Sequence, residues 1–377
     1  MRIEPNAASM EYTNVLEHVA PKSSRPSEFE QPSSSDAASF PLITIGIPTR
    51  NRASLVADAV KRALAQSYSN IEVLVSDNAS TDNTLATLRS ITDPRLRILT
   101  SPEDIGHSAN YFKCIREAKG EYLLLVPDDD RISETFIEKC VNLLHAEPGI
   151  RAVVAAHSAF FADENRDRRA ITSKRLSTGI WDGPEILNEF LRGEFSPIML
   201  STIFRPELLR GKGLWPSEYQ FAADILALSR ILISGRAGLL NEPVATLTIH
   251  GSSVSSRLGL DHCFRETQEV MAIISDTANR AIPDEASRRE LQALTQQYVA
   301  KKLFDFLVLY RRQGAELREV ARQLRIWRKQ SRQCTLIHFV AALRLKTLAL
   351  LLFPAPFTKF LLSLRHAVLG RGQSPVT

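Results

Sequence analysis

The sequence is short of several things, and each shortage closes off a class of protein. Four cysteines stand in 377 residues, Cys114, Cys140, Cys263 and Cys334, and no two are spaced Cys-x-x-Cys. That excludes a disulfide framework and a cysteine-rich zinc module, and it suits reduced, buried thiols of a cytosolic protein. No window reaches about eighteen uninterrupted apolar residues, so no membrane-spanning helix is expected. The first residues hold no apolar stretch of signal-peptide length. Acid is missing from Ala321 onward, where ten Lys or Arg remain. Residues 301–377 carry fifteen basic and three acidic side chains, +12 in a chain of net +5. A basic end on an acidic body points to an anionic partner.

What is present begins after a leader. Residues 1–40, as in "PKSSRPSEFEQPSSSDAASF", are rich in Ser, Pro and Glu and read as flexible. From Pro41 strand-like and helix-like segments alternate. Strands are expected at 42–48, 71–77, 96–101, 121–127 and 151–156. Helices are expected at 53–67, 84–91, 108–120 (stopping at Gly120) and 133–149 (capped by Ser133). Short connections between them predict an α/β fold, with parallel βαβ units and helices on both faces. Ligands in such sheets bind beyond the carboxyl ends of the strands. There the first strand ends in "PTRNR" (48–52), the second in "SDNASTDNT" (76–84) and the fourth in "PDDD" (127–130).

Three consecutive carboxylates, Asp128, Asp129 and Asp130, close the apolar run "LLLVP". One Asp there reads as a helix-capping turn; three raise each other's pKa unless a cation compensates. Clustered carboxylates without cysteine suit a hard divalent cation, Mg²⁺ or Mn²⁺, which ordinarily shares its shell with a phosphate-bearing substrate. Asp77 closes a buried strand, where a carboxylate can accept from a base or ribose. "SDNASTDNT" alone reads equally as a polar turn capping the next helix through Ser80, Thr81 or Asp82.

"ITIGIPTRNR", "IEVLVSDNASTDNT" and "IGHSANYFKCIREAKGEYLLLVPDDD", in that order, resemble the nucleotide-sugar half of a family 2 glycosyltransferase with the GT-A fold. The resemblance covers residues 41 to about 256: 41–160 as the nucleotide-sugar half and 161–256 as the acceptor half. It implies that Pro48, Thr49 and Asn51 lie beside the nucleotide and that Asp77, with Asn78 next to it, contacts the base. Gly106 and Asn110 border the cleft. Asp128 and Asp130 are the outer members of the family's Asp-x-Asp motif for metal and diphosphate, and Asp129 is an equal candidate. "GLWPSEYQFAADILALSRILISGRAGLLNEPVATLTIHGSSVS" resembles the acceptor-side segment. There Asp224 inherits the catalytic base, although Ala223 replaces the usual Glu neighbour. His250 ends the segment where Arg-x-His is common, with Thr248 in place of the Arg, and is a candidate for metal or diphosphate. Taken as residues alone, Asp224 reads as a first-turn acid on a helix dipole, and His250 as a structural histidine. Trp181 and Trp215 are acceptor-stacking or core residues alike.

The resemblance implies a metal-dependent, inverting transfer from a nucleoside diphosphate sugar, UDP being the usual base, to a saccharide or lipid-linked hydroxyl. "QLRIW" (323–327) is out of register with the processive synthases' Gln-x-x-Arg-Trp, so one residue is added per encounter. A sugar-nucleotide-forming nucleotidyltransferase is the rival enzyme class, but "GIPTRNRAS" holds one glycine, Gly46, where that class has a Gly-rich loop. A non-catalytic scaffold of the same fold is the other rival. Residues 257–377 are expected to be helical and basic. Within 335–369 two apolar, basic-edged helices broken at "PAP" (354–356) suit an anionic membrane surface, at the cytoplasmic face, better than a nucleic acid, with a helical cap packed on the catalytic domain as the alternative.

Overall fold

The computed structural model describes residues 40–162, 166–193, 195–211, 214–250, 258–312 and 315–330. The leader, residues 251–257 and the 335–369 segment lie outside them. In chain order the strands are β1 (Ile43–Thr49), β2 (Ile71–Asp77), β3 (Leu96–Thr100), β4 (Tyr122–Leu125), β5 (Arg131–Ile132), β6 (Ala152–Phe161), β7 (Arg166–Ile171), β8 (Gly179–Asp182), β9 (Thr202–Phe204) and β10 (Arg236–Ile249). The helices are α1 (Ala53–Leu64), α2 (Thr84–Arg89), α3 (His107–Glu117), α4 (Phe136–Ala146), α5 (Gly183–Arg192), α6 (Glu207–Arg210), α7 (Ala223–Ile233), α8 (Leu260–Ala281), α9 (Glu285–Arg312) and α10 (Leu317–Gln330).

One sheet holds these strands in the order β3-β2-β1-β4-β9-β6-β10-β5, with β7 on β6 and β8 on β10. The first four are mutually parallel, in the register Ile43↔Ile71, Thr49↔Asp77 and Ile43↔Tyr122. β9 runs antiparallel between β4 and β6. The fold is therefore α/β with a mostly parallel sheet flanked by helices, as the alternation predicts.

β1 and β2 are buried at every position, as strands covered on both faces must be. Two cores lie on the two faces of the sheet, and alternate residues of β4 divide between them. Ile43, Ile45 and Ile47 join Val56 and Val60 of α1 and Phe136 and Cys140 of α4 on one face. On the other, Leu123 and Leu125 join Cys114 and Ile115 of α3 and Leu228 and Ile231 of α7. The cysteines Cys114, Cys140 and Cys263 are free and buried.

Two helix ends differ from expectation. α3 stops at Glu117, with Ala118 leaving the helical region at ψ 132, rather than at Gly120. Gly120 is needed for another reason: a Cβ there would stand 2.5 Å from the Thr44 nitrogen and 2.6 Å from the Leu42 carbonyl oxygen. α4 begins at Phe136 and Ser133 does not cap it. Residues 131–132 pair with β10 instead. Ser133 continues that contact, its N–H donating to the Val244 carbonyl over 2.8 Å.

The chain divides into two compact units. One holds the sheet, with residues up to Leu258 and Ile273–Leu291; the other holds Gly259–Ala272 and the residues from Gln292 onward. In the second, Trp327 is buried against Phe264 and its indole N–H donates to Asp261 over 2.6 Å. No helix among the described residues is long and apolar enough to cross a membrane.

Gly120→Ala is expected to cost about 2–3 kcal/mol, because the atoms met are backbone and cannot step aside. Urea denaturation with an unchanged m-value checks it; a cost under about 0.5 kcal/mol would refute the close-approach account.

Candidate active site

The parallel register of β2, β1 and β4 delivers three polar strand ends to one edge. Asp77 ends β2 and is 2% exposed. Thr49 ends β1, and its hydroxyl donates to Asp128 Oδ2 over 2.6 Å. Asp128 is the third residue after β4 and is 7% exposed; Asp130 is 5% exposed. The Asp130 Oδ1 accepts the Thr248 N–H of β10 at 2.7 Å.

The cation facing the acids is Arg52, in the loop after β1. Its Nη1 donates to Asp128 Oδ1 over 2.8 Å and to Asp129 Oδ2 over 2.6 Å. His250 Nε2 lies 2.9 Å from the same Asp129 oxygen. Burial opposes ionisation of all three acids, but the outcomes diverge. Asp129 is held below the ordinary carboxylate range, since its bonds to His250 and Arg52 outweigh burial. Asp128 is pushed up by burial despite Thr49 and Arg52. Asp130 is pushed well up, by burial first and then by its two acidic neighbours, with the Thr248 N–H opposing.

The remaining predicted nucleotide-side residues tie the loops together. Asn51 adopts φ 52, a region Asn tolerates. Its N–H donates to Ser80 Oγ, and its Oδ1 accepts the Thr81 N–H, both at 2.8 Å. The Ser80 hydroxyl in turn donates to Asp77. The Asn78 amide donates to Asp104 Oδ1 over 2.7 Å, and the Ile105 N–H donates to Asn78 Oδ1 over 2.9 Å. Gly106 opens α3 at φ 83, which a side chain would disfavour. Asn110 is buried on α3 and donates to the Ser76 carbonyl of β2 over 3.0 Å. Pro48 lies within β1 beside Ser76. The 76–84 stretch does not cap α2 through Ser80 or Thr81: the cap position is Asn83, and Asp82 accepts the Thr84 N–H.

Asp224 sits apart. It lies in the first turn of α7, partly buried, and among the described residues it makes no hydrogen bond or ion pair with the aspartate cluster. Burial pushes its carboxyl up to about 6, against the Ile225 N–H that favours the charged form. Trp215 is buried and anchored, its indole N–H donating to the Ser108 carbonyl over 3.1 Å and its ring stacked on Tyr111. Tyr111 is within electrostatic reach of all three acids. Trp181 is bonded to its own loop through Ser177. Arg52 and Asp104 are the site residues that motif reading passes over. A charge count at "PDDD" would have called for Arg52, whereas Asp104 carries no signal of its own.

Whether the acids suit a metal turns on their unspent donors. Among the described residues no group of three or more His, Cys, Asp or Glu is gathered around one point. The donor chemistry fits nonetheless. Asp130 is buried, and among the described residues one hydrogen bond serves its two oxygens. The Oγ of Thr248, whose N–H holds it, is buried without a partner among the described residues. One guanidinium and one imidazole face three carboxylates, leaving negative charge for a hard cation to meet.

Residues 44–203 match the family model described as glycosyl transferase family 2. An uncharacterized glycosyltransferase of Haemophilus influenzae is 25% identical over 223 residues, which is 57% of this chain and 68% of that protein. The chondroitin synthase of Pasteurella multocida is 24% identical over 71% of this chain but only 26% of its own length. Among solved structures, Staphylococcus aureus TarS 1–349 in complex with UDP-GlcNAc superposes with a TM-score of 0.56 at 17% identity, covering 80% of this chain and 90% of that one. That likeness is one of fold.

Asp224 carries a stability consequence. A carboxyl raised in the folded state favours folding fully below its unfolded pKa near 4, and that contribution is lost as pH rises through about 6. Asp224→Asn is therefore expected to raise stability at pH 7.5 by on the order of 1–2 kcal/mol. The gain should vanish near pH 4. Denaturation midpoints of both proteins across that range check it; a gain independent of pH would refute the buried-carboxyl account.

Proposed function

We propose that the chain is a glycosyltransferase of family 2 that moves one sugar from a nucleoside diphosphate donor to an acceptor hydroxyl, inverting the anomeric centre; the family model over residues 44–203 and the glycosyltransferase relatives support this. The observation that carries the reading is the meeting of Thr49, Asp77 and Asp128 at one sheet edge, with Thr49 bonded to Asp128. Asp77 and Asn78 line the nucleoside end, beside Pro48, Asn51, Gly106 and Asn110. Asp128 and Asp130, with Asp129 and His250 beside them, hold the diphosphate end. There Mg²⁺ or Mn²⁺ would supply charge neutralisation of the leaving diphosphate. A uridine donor is favoured by the UDP-GlcNAc complex of TarS. A second support is the named UDP-Glc donor of an Escherichia coli β-1,3-glucosyltransferase, 24% identical over 43% of this chain.

Asp224 is the general base. It accepts the acceptor hydroxyl's proton as the oxygen bonds to the anomeric carbon, while the bond to the diphosphate oxygen breaks on the opposite face. A carboxyl held near 6 is ionised at neutral pH yet more basic than a solvated Asp, which suits that work. Cell-surface polysaccharide or glycolipid assembly is the setting that fits, with an acceptor on a lipid carrier and the basic residues beyond Ala321 on the anionic cytoplasmic face of the membrane.

Two experiments test this. Transfer from UDP-sugars is expected to be lost in chelator and restored by Mn²⁺, and Asp130→Asn to weaken UDP binding. Asp224→Asn should lower kcat by about 10²–10⁴-fold with UDP affinity unchanged, and wild-type kcat should fall below about pH 6. Full activity in chelator would sink the metal assignment; collapse of donor affinity with surviving turnover would make Asp224 structural. Separately, the full chain should float with anionic liposomes at low salt and a chain ending at Gln333 should not. Equal behaviour of the two would remove the membrane assignment.

A further inference from the structure

Arg52 occupies the place a bound cation would need. A single nitrogen of its guanidinium bridges Asp128 Oδ1 and Asp129 Oδ2. The other Asp128 oxygen carries the Thr49 hydroxyl, and the bridged Asp129 oxygen also meets His250. An ion drawing on Asp128 would therefore compete with Arg52 and Thr49 for its oxygens. Thr49 is buried within the sheet. Arg52 is not: its side chain is 26% exposed, and only its backbone is pinned, the N–H to Thr84 Oγ over 3.0 Å and the carbonyl to the Val56 N–H over 3.0 Å. The group that can leave is the guanidinium.

We propose that Arg52 is a latch: its guanidinium holds the aspartates in place of a metal ion until a nucleoside diphosphate draws it onto phosphate oxygens. This rests on the reading of the aspartates as the metal and diphosphate site. A divalent ion and a guanidinium on the same carboxylates repel each other, so the ion alone binds weakly. A diphosphate reverses the balance. It offers paired oxygens to the planar guanidinium, and its charge compensates both cations at once. Metal and nucleotide then bind with positive coupling, and the coupling is the same whichever arrives first. Arg52 is in this sense a positioning residue for the donor complex: it acts on the metal through Asp128 and Asp129.

The measurement is Mn²⁺ binding, read as loss of the free-ion EPR signal, to the full chain with and without UDP and corrected for Mn²⁺ held by UDP itself. Wild type is expected to bind Mn²⁺ at least about tenfold more tightly with UDP than without. Arg52→Gln should bind Mn²⁺ about tenfold more tightly than wild type in the absence of UDP, and the gain from UDP should shrink to about threefold or less. Arg52→Lys keeps a charge without the planar fork and should fall between the two. Should Arg52→Gln bind the ion alone no more tightly than wild type, while wild type still shows the UDP effect, the latch is wrong and the metal site stands. Should neither protein bind Mn²⁺ with UDP present, the metal reading fails and the latch with it.

Discussion

The Thr49 hydroxyl donates to Asp128 across 2.6 Å, and that bond joins the ends of two parallel strands where the chain turns from apolar to acidic. A buried carboxylate left without such a donor would carry its full desolvation cost, several times the net worth of an ordinary hydrogen bond. The rest of the edge is arranged around that demand. The Thr248 N–H of β10 serves Asp130, Arg52 serves Asp128 and Asp129, and His250 serves Asp129. Donors thus come from the end of β1 and the loop after it, and from the end of β10 and His250. The aspartates are what fastens those two parts of the sheet unit together at its ligand edge.

That edge exists because of register. β1 pairs Thr49 with Asp77 on one side and Gly46 with Leu125 on the other, so β1 and β2 finish at one level while β4 stops short, and residues 126–128 carry Asp128 up to Thr49. Alternate residues of β1 and β2, Ile43, Ile45 and Ile47 beside Ile71, Val73 and Val75, enter one core, so slipping either strand by one residue would put Thr44 or Glu72 in their place. Gly46 permits the tight side of this packing, with Cys114 of α3 and Leu125 standing about 3.1 Å from where its Cβ would be. The ligand edge is therefore a product of core packing some distance from any ligand.

Much of this was legible in the chain. The β-branched runs at 42–48 and 71–77 read as doubly buried strands, and the polar residues that end them read as a site, because parallel sheets collect their strand ends. The less legible parts have identifiable causes. β9 is three residues long and wedges antiparallel between β4 and β6, too short to leave a period in the sequence. β5 is two residues, so Ser133 looked like a helix cap when it is the tail of a strand pairing. Trp215 could equally have faced a sugar; its indole N–H is used internally on Ser108. Asp224 kept two readings because its first-turn position suits either, and only its burial and raised pKa distinguish it from an ordinary surface acid. Arg52 went unremarked since a lone arginine in "PTRNR" has no period and no motif. Its signal was arithmetic, three acids needing a cation within reach.

The loops after β1 and β2 are held in conformations that residues with side chains seldom adopt. Asn51 stands at φ 52 and Ala79 at φ 53. Each such residue costs roughly 1–2 kcal/mol and persists only where its surroundings over-determine it. Here they do so by binding each loop to the other: Asn51 to Ser80 and Thr81, Ser80 to Asp77, Arg52's N–H to Thr84. With both backbones committed in this way, a ligand can change little in the path of the chain. What it can change is the direction of long side chains rooted in it, and of those at the acids Arg52 is the one with a charge to move. A site of this kind is stiff in shape, with Arg52 the charge rooted in it that can turn, and that combination would suit the nucleoside diphosphate proposed above.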